Sequence, residues 1–156
     1  MVHQVTRLTN AWLDFVLNPE AGTFFLESRR FPGASLKNAA YNLSLSSSTI
    51  HPTARLESIS QEQRDDPKQG LLDIVSAVYR AKAVDLEWLV EFALPVDQPL
   101  LLQRMEIRNH SEQVFHPDQL TFGALRAGEL HFSDHRPNKT AFFSNGWQSW
   151  APSGTW

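Results

Sequence analysis

The chain contains no cysteine. Disulfide bonds, thiolate metal sites and cysteine nucleophile chemistry are therefore excluded. It also has no excess of positive charge. Fourteen Lys and Arg stand against 17 Asp and Glu, for a formal net charge of -3. Nucleic acid is not an expected partner, because phosphate binding needs a basic surface. No run of like charges marks a tail or a membrane-surface helix. No stretch is long and apolar enough to span a bilayer. The start, from Met1 to Arg7, lacks the basic region and apolar run of a secretory leader. The expectation is a cytoplasmic protein with no membrane contact. Neither a Gly-rich phosphate loop nor a nucleophile elbow is present, and no cofactor is expected.

What is present is a period-two pattern. Across residues 84–95 the apolar side chains Leu86, Trp88, Val90, Phe92 and Leu94 alternate with Glu87 and Glu91. Successive strand side chains point to opposite faces, so this predicts a half-buried strand. Residues 100–109 repeat the theme, with Leu101, Met105 and Ile107 on one face and Arg104, Glu106 and Arg108 on the other. Pro95, Asp97 and Pro99 separate the two runs. An antiparallel pair with one wet face follows.

Residues 12–17 and 23–27 flank Asn18-Pro19-Glu20-Ala21-Gly22. That reads as strand, turn, strand, with Gly22 free to take positive φ. Tyr41, Leu43 and Leu45 alternate with Asn42, Ser44 and Ser46, giving a further strand. Leu71, Leu72, Val75, Val78 and Tyr79 also fit a helical stripe, but β-formers dominate the segment and favour a strand. Residues 60–70 are polar and aperiodic, and the expectation there is an exposed loop. Many short strands separated by turns indicate an all-β, antiparallel β-sandwich over residues 1–156 as one domain.

The informative stretch for function is Phe142-Phe143-Ser144-Asn145-Gly146-Trp147-Gln148-Ser149-Trp150. Two of the five tryptophans fall within four residues, and Gly146, Pro152 and Gly154 point to a turn or loop. A flat indole covers the apolar C–H face of a pyranose, and amide or hydroxyl neighbours bond its hydroxyls. The alternative is that both rings pack against the sandwich end or another domain.

Other candidates are weaker. His131, Asp134 and His135 are all metal-ligating types, but without a recognised metal-site spacing they read as a solvated loop. No metal is expected. Glu87 and Glu91 share a strand face that reads as wet, whereas a catalytic carboxylate needs a partly desolvated site. Asp14, Asp118 and Asp134 offer no better pair.

The N-G-W-Q-S-W motif at residues 145–150, followed by A-P-S-G, resembles the end of the N-terminal domain in glycoside hydrolase family 36, which contains α-galactosidases and related raffinose-acting enzymes. Residues 101–111 are similar to a strand pair of that domain. The resemblance implies a large N-terminal β-sandwich (a supersandwich), a following (β/α)₈ barrel that carries two catalytic aspartates, and retaining double displacement. No barrel is present in this sequence, so no catalytic residue is assigned. By the same resemblance Trp150 reaches the active-site wall and stacks on the galactosyl group, with Trp147 and Gln148 as supports. The implied partners are α-galactoside oligosaccharides, the protein's own catalytic barrel and further copies of the chain. The motif departs from the usual pattern at Ala151, where serine or glycine is common. In longer relatives the sandwich continues past this point, so the expectation is a domain truncated at its C-terminal end that self-associates when made alone. A stand-alone carbohydrate-binding or structural sandwich is the alternative.

Overall fold

The computed structural model describes residues 5–45, 48–49, 54–112, 114, 117–126, 129–131, 143–144 and 154–155. It is a β-sandwich. The first sheet holds β1 (Thr6–Thr9), β2 (Leu13–Asn18), β3 (Thr23–Ser28), β4 (Ser35–Leu45) and, out of chain order, β10 (Pro117–Ala124). Short strands β5 (Ser48–Thr49) and β11 (Leu130–His131) also pair with β4. The second sheet runs β6 (Arg55–Asp66), β7 (Gly70–Ala81), β8 (Leu86–Pro95) and β9 (Leu102–Asn109). A separate two-stranded ribbon joins β12 (Phe143–Ser144) to β13 (Gly154–Thr155). Every pairing is antiparallel.

The alternation in β8 does what its spacing predicts. Leu86, Trp88, Val90, Phe92 and Leu94 are all buried, and Glu87 and Glu91 face outward. β9 pairs with β8 in continuous register from Leu86↔Asn109 to Ala93↔Leu102. Leu101, Met105 and Ile107 pack against the core. The β2–β3 hairpin forms around residues 18–22, with Gly22 at φ 61. The segment that also fitted a helical stripe is the strand β7, flanked by β6 and β8.

One expectation fails. Residues 60–70 are not a loop. Residues 60–66 belong to β6, which pairs with β7 from Arg55↔Arg80 to Asp66↔Gly70. Only the turn before Gly70 is loop. There Asp66 accepts the backbone N–H groups of Lys68 and Gln69, which lowers its pKa. Residues 60–65 looked like a loop because their side chains are all exposed, whereas Leu56 and Ile59, earlier in β6, pack against the core. Backbone bonding to β7 satisfies the main chain of residues 60–65 without any apolar stripe. β1, β10 and the first half of β4 also carry no clear alternation, and only the structure reveals them.

The core lies between the sheets. Phe15, Phe24 and Tyr41 of the first sheet meet Tyr79, Trp88 and Phe92 of the second. Phe92 is central, with ring centroids 4.9 Å from Phe15, 5.1 Å from Phe24 and 5.5 Å from Tyr41. Such tilted contacts add to simple area burial.

Two polar fastenings tie the sheets together. Tyr79 Oη donates to the Pro19 carbonyl at 2.7 Å and lies 2.6 Å from Tyr41 Oη. A phenol has one proton, so Tyr41 must donate to Tyr79. Asn10 is buried between β1 and β2. Its Nδ2 donates to the Pro95 and Gln98 carbonyls at 2.8 and 3.0 Å, and its Oδ1 accepts the N–H groups of Trp12 and Leu13. One side chain thus clasps the first sheet to the β8–β9 connection with its full hydrogen-bonding capacity in use.

Candidate functional site

A concavity formed by described residues lies on the outer face of the first sheet. Inner-facing Ala39 and Tyr41 of β4 are buried in the core, so Ala40 between them points outward. Two irregularities flank it. Lys37 and Asn38 together oppose Phe25 of β3, and β10 carries one extra residue between Thr121 and Ala124. Asn38 takes φ 52, a left-handed conformation that asparagine tolerates better than most residues. Bulges of this kind bend a strand and re-aim its side chains.

The result is a groove of about 520 Å³. Its lining includes the small side chains Ala21, Ala40 and Ala124 and the polar residues Asn18, Thr23, Asn38, Arg126 and Glu129. Asn18 Oδ1 already accepts the Ala21 N–H at 3.2 Å. Glu129 accepts the Arg126 N–H, donates its own N–H to the Arg126 carbonyl at 3.0 Å, and accepts from Lys37 through its carbonyl at 2.8 Å. That turn is therefore fastened to the β4 bulge. Among the described residues, the Asn38 amide and the Arg126 guanidinium have no protein partner and remain available to a ligand. The lining holds one cation and one carboxylate, so the groove suits a neutral polar molecule over a strongly charged one.

The outer face of the second sheet carries the carboxylates that the sequence singled out. Glu87 lies 2.9 Å from Arg108 and 3.7 Å from Arg80, and Glu91 lies 3.1 Å from Arg64. Glu106 bridges Arg104 and Arg108 at 2.7 and 2.8 Å. This is a cross-strand ladder of alternating charge. Glu62 and then Glu91 raise the pKa of Arg64, and Glu106 and then Glu87 raise that of Arg108, all through charge-assisted hydrogen bonds. The face is the wet one, as its sequence pattern predicts. Asp14 is likewise engaged, accepting from Thr9 at 2.6 Å and lying 3.8 Å from Arg29.

Trp147, Gln148 and Trp150 lie outside the described residues, as do Asp134 and His135. The strands on either side of the tryptophan motif are described. Phe143 pairs with Thr155 and Ser144 with Gly154 in an antiparallel ribbon. His131 sits in β11, opposite Ser35 of β4. No group of three potential metal ligands occurs among the described residues.

Sequence reading did not find the groove. Its residues come from β2, the β2–β3 turn, β3, β4, β10 and the segment that follows, and no two of the lining amides are neighbours in the chain. The only local signal was Asn38 itself, in a segment without alternation. No helix among the described residues is long and apolar enough to cross a membrane. In comparisons with known proteins, no family model, no curated protein and no solved structure matches this chain.

Proposed function

We propose that this chain is the non-catalytic N-terminal β-sandwich of an α-galactosidase-like glycoside hydrolase, and that it contributes a tryptophan loop to the recognition of α-galactoside oligosaccharides. The observation that carries the proposal is the motif Asn145-Gly146-Trp147-Gln148-Ser149-Trp150. The paired strands that bracket it in the chain support the reading, because their pairing sets Ser144 opposite Gly154. In this role Trp150 stacks on the galactosyl ring, Trp147 and Gln148 support it, and the hydrolytic carboxylates belong to a barrel beyond this sequence. The parent enzyme acts as a homo-oligomer.

The test is the reading frame beyond Trp156, followed by assay of its full product on an aryl α-galactoside. The expected outcome is a barrel-encoding frame, with kcat/KM reduced about tenfold or more by Trp150→Ala, or about 1.4 kcal/mol of lost transition-state binding. A frame without a barrel, or a product indifferent to α-galactosides, removes the proposal.

A second reading, a stand-alone carbohydrate-binding module, draws on the groove beside Asn38. A lining of alanines with amide, hydroxyl, guanidinium and carboxylate groups suits the hydroxyls of a neutral sugar. Galactoside titration of the chain separates the two. Binding weakened by Asn38→Ala and unaffected by Trp150→Ala favours the module.

A further inference from the structure

β6 is an edge strand 12 residues long, and among the described residues its only strand partner is β7. Among the described residues no strand pairs with the other side of its backbone, a length of about 40 Å. Beside it, between β1 and β6, a polar cleft of about 390 Å³ opens onto Arg7, Ile59 and Gln61. From the register with β7, the side chains of Leu56, Ile59, Gln61, Gln63 and Asp65 share the core-side face of β6, and those of Arg55, Ser58, Ser60, Glu62, Arg64 and Asp66 share the outer face. Glu57 is the extra residue of a bulge and is skipped in this count.

An antiparallel pair of identical strands has a two-fold axis perpendicular to the sheet. Such an axis keeps each face on its own side, so a residue must sit opposite itself at the centre. With Gln61 on the axis, the strand overlaps a second copy of itself along its full length. Arg55 then faces Asp66, Ser58 faces Arg64, Ser60 faces Glu62, Leu56 faces Asp65 and Ile59 faces Gln63. No like charges meet. Moving the axis to Ser60 sets Arg55 against Arg64 twice, and moving it to Glu62 sets that carboxylate against its own copy. Like charges directly opposite are destabilising in a sheet. Axes on Ile59 or Gln63 also avoid like charges but pair only part of the strand, so charge and full overlap together select the Gln61 register.

We propose that two copies of this chain associate through β6, with Gln61 on the two-fold axis, so that their second sheets join into one continuous eight-stranded sheet. The proposal rests on the edge of β6 and is independent of the sugar-binding reading. Its partner is a second copy and not an unrelated strand, because the alternating charges match their own reverse. The inward-facing amide of Gln61 then meets its own copy across the joint, with Gln63 opposite Ile59 on either side of it.

The lack of native cysteine makes a direct test available. Opposed residues on antiparallel strands have Cα atoms about 4.5–5.5 Å apart, within the span a disulfide bridges. Gln61→Cys is expected to give a covalent dimer on mild oxidation. Ser58→Cys is expected to give none, because its copy lies about 20 Å away. Gln61 is exposed, and its one hydrogen bond, from Nε2 to the Arg7 carbonyl at 3.1 Å, is also exposed, so both variants retain the native circular dichroism. In sedimentation velocity the unmodified chain is expected to be a dimer. Gln61→Glu and Gln61→Lys are each expected to shift toward monomer, and an equal mixture of the two to restore the dimer. A monomeric unmodified chain, equal cross-linking of the two cysteine variants, or a dimer indifferent to both charges overturns the proposal.

Discussion

β7 has two neighbours of similar length that differ in almost everything except their backbone. On one side β8 buries every second residue between the sheets, and Phe92 alone touches three other aromatic rings. On the other side β6 buries no residue fully. Both strands pair with β7 over nearly their whole lengths. The difference shows two ways of making a strand. β8 is held by the water it excludes. β6 is held mainly by main-chain bonding to β7, with Leu56 and Ile59 partly packed on the core and polar side chains along its outer edge.

Four measurements test that contrast. The largest effect belongs to the interior strand. Phe92→Ala is expected to cost about 3–5 kcal/mol in denaturant unfolding, because the cavity lies where both sheets meet and cannot collapse easily. Next is Asn10→Ala, at about 2–3 kcal/mol by the same assay. It leaves the Pro95 and Gln98 carbonyls and two N–H groups without their partner.

The third effect depends on pH. Burial pushes the Tyr79 phenol up from 10.0 to about 12, even though the hydrogen bond from Tyr41 favours its anion. Burial raises Tyr41 as well, assisted by the charge and hydrogen bond of Tyr79. The unfolded chain therefore ionises first. The tyrosine contribution is fully present below pH 10 and is lost as pH rises toward 12 and beyond. The expected loss is on the order of 1–3 kcal/mol in unfolding free energy, and Tyr79→Phe should reduce its pH dependence. The smallest effect belongs to the edge strand. Gln63→Ala removes an exposed bond to Asp73 and is expected to cost about 0.5 kcal/mol or less. A cost comparable to that of Phe92→Ala would mean that β6 is held by its side chains after all.

The same contrast explains how much was legible. A strand at a core boundary writes its burial into the sequence, so the alternation of residues 84–95 and 100–109 was sufficient to place β8 and β9. The β2–β3 turn was legible because positive φ at Gly22 selects for glycine. The 60–70 segment was not legible, since residues 60–65 are exposed on both faces of the edge strand and have no periodicity to show. The groove was not legible either. Alanines and asparagines are common, and only a bulged β4 brings those of several distant segments to one place. Trp147, Gln148 and Trp150 stood out in the sequence by local composition alone, and they lie outside the described residues.

The order of residues along the chain was enough to read an all-β protein, the buried face of residues 86–94, and the wet face that carries Glu87 and Glu91. Those properties depend on the order of apolar and polar residues along one strand, which is a local quantity. Tertiary structure alone decided that β6 is a strand, that Asn10 and the Tyr41–Tyr79 pair fasten one sheet to the other, and that a polar groove opens beside Asn38. Each of these depends on which distant segments become neighbours. That choice is made by the backbone bonding of whole sheets and not by any short run of side chains.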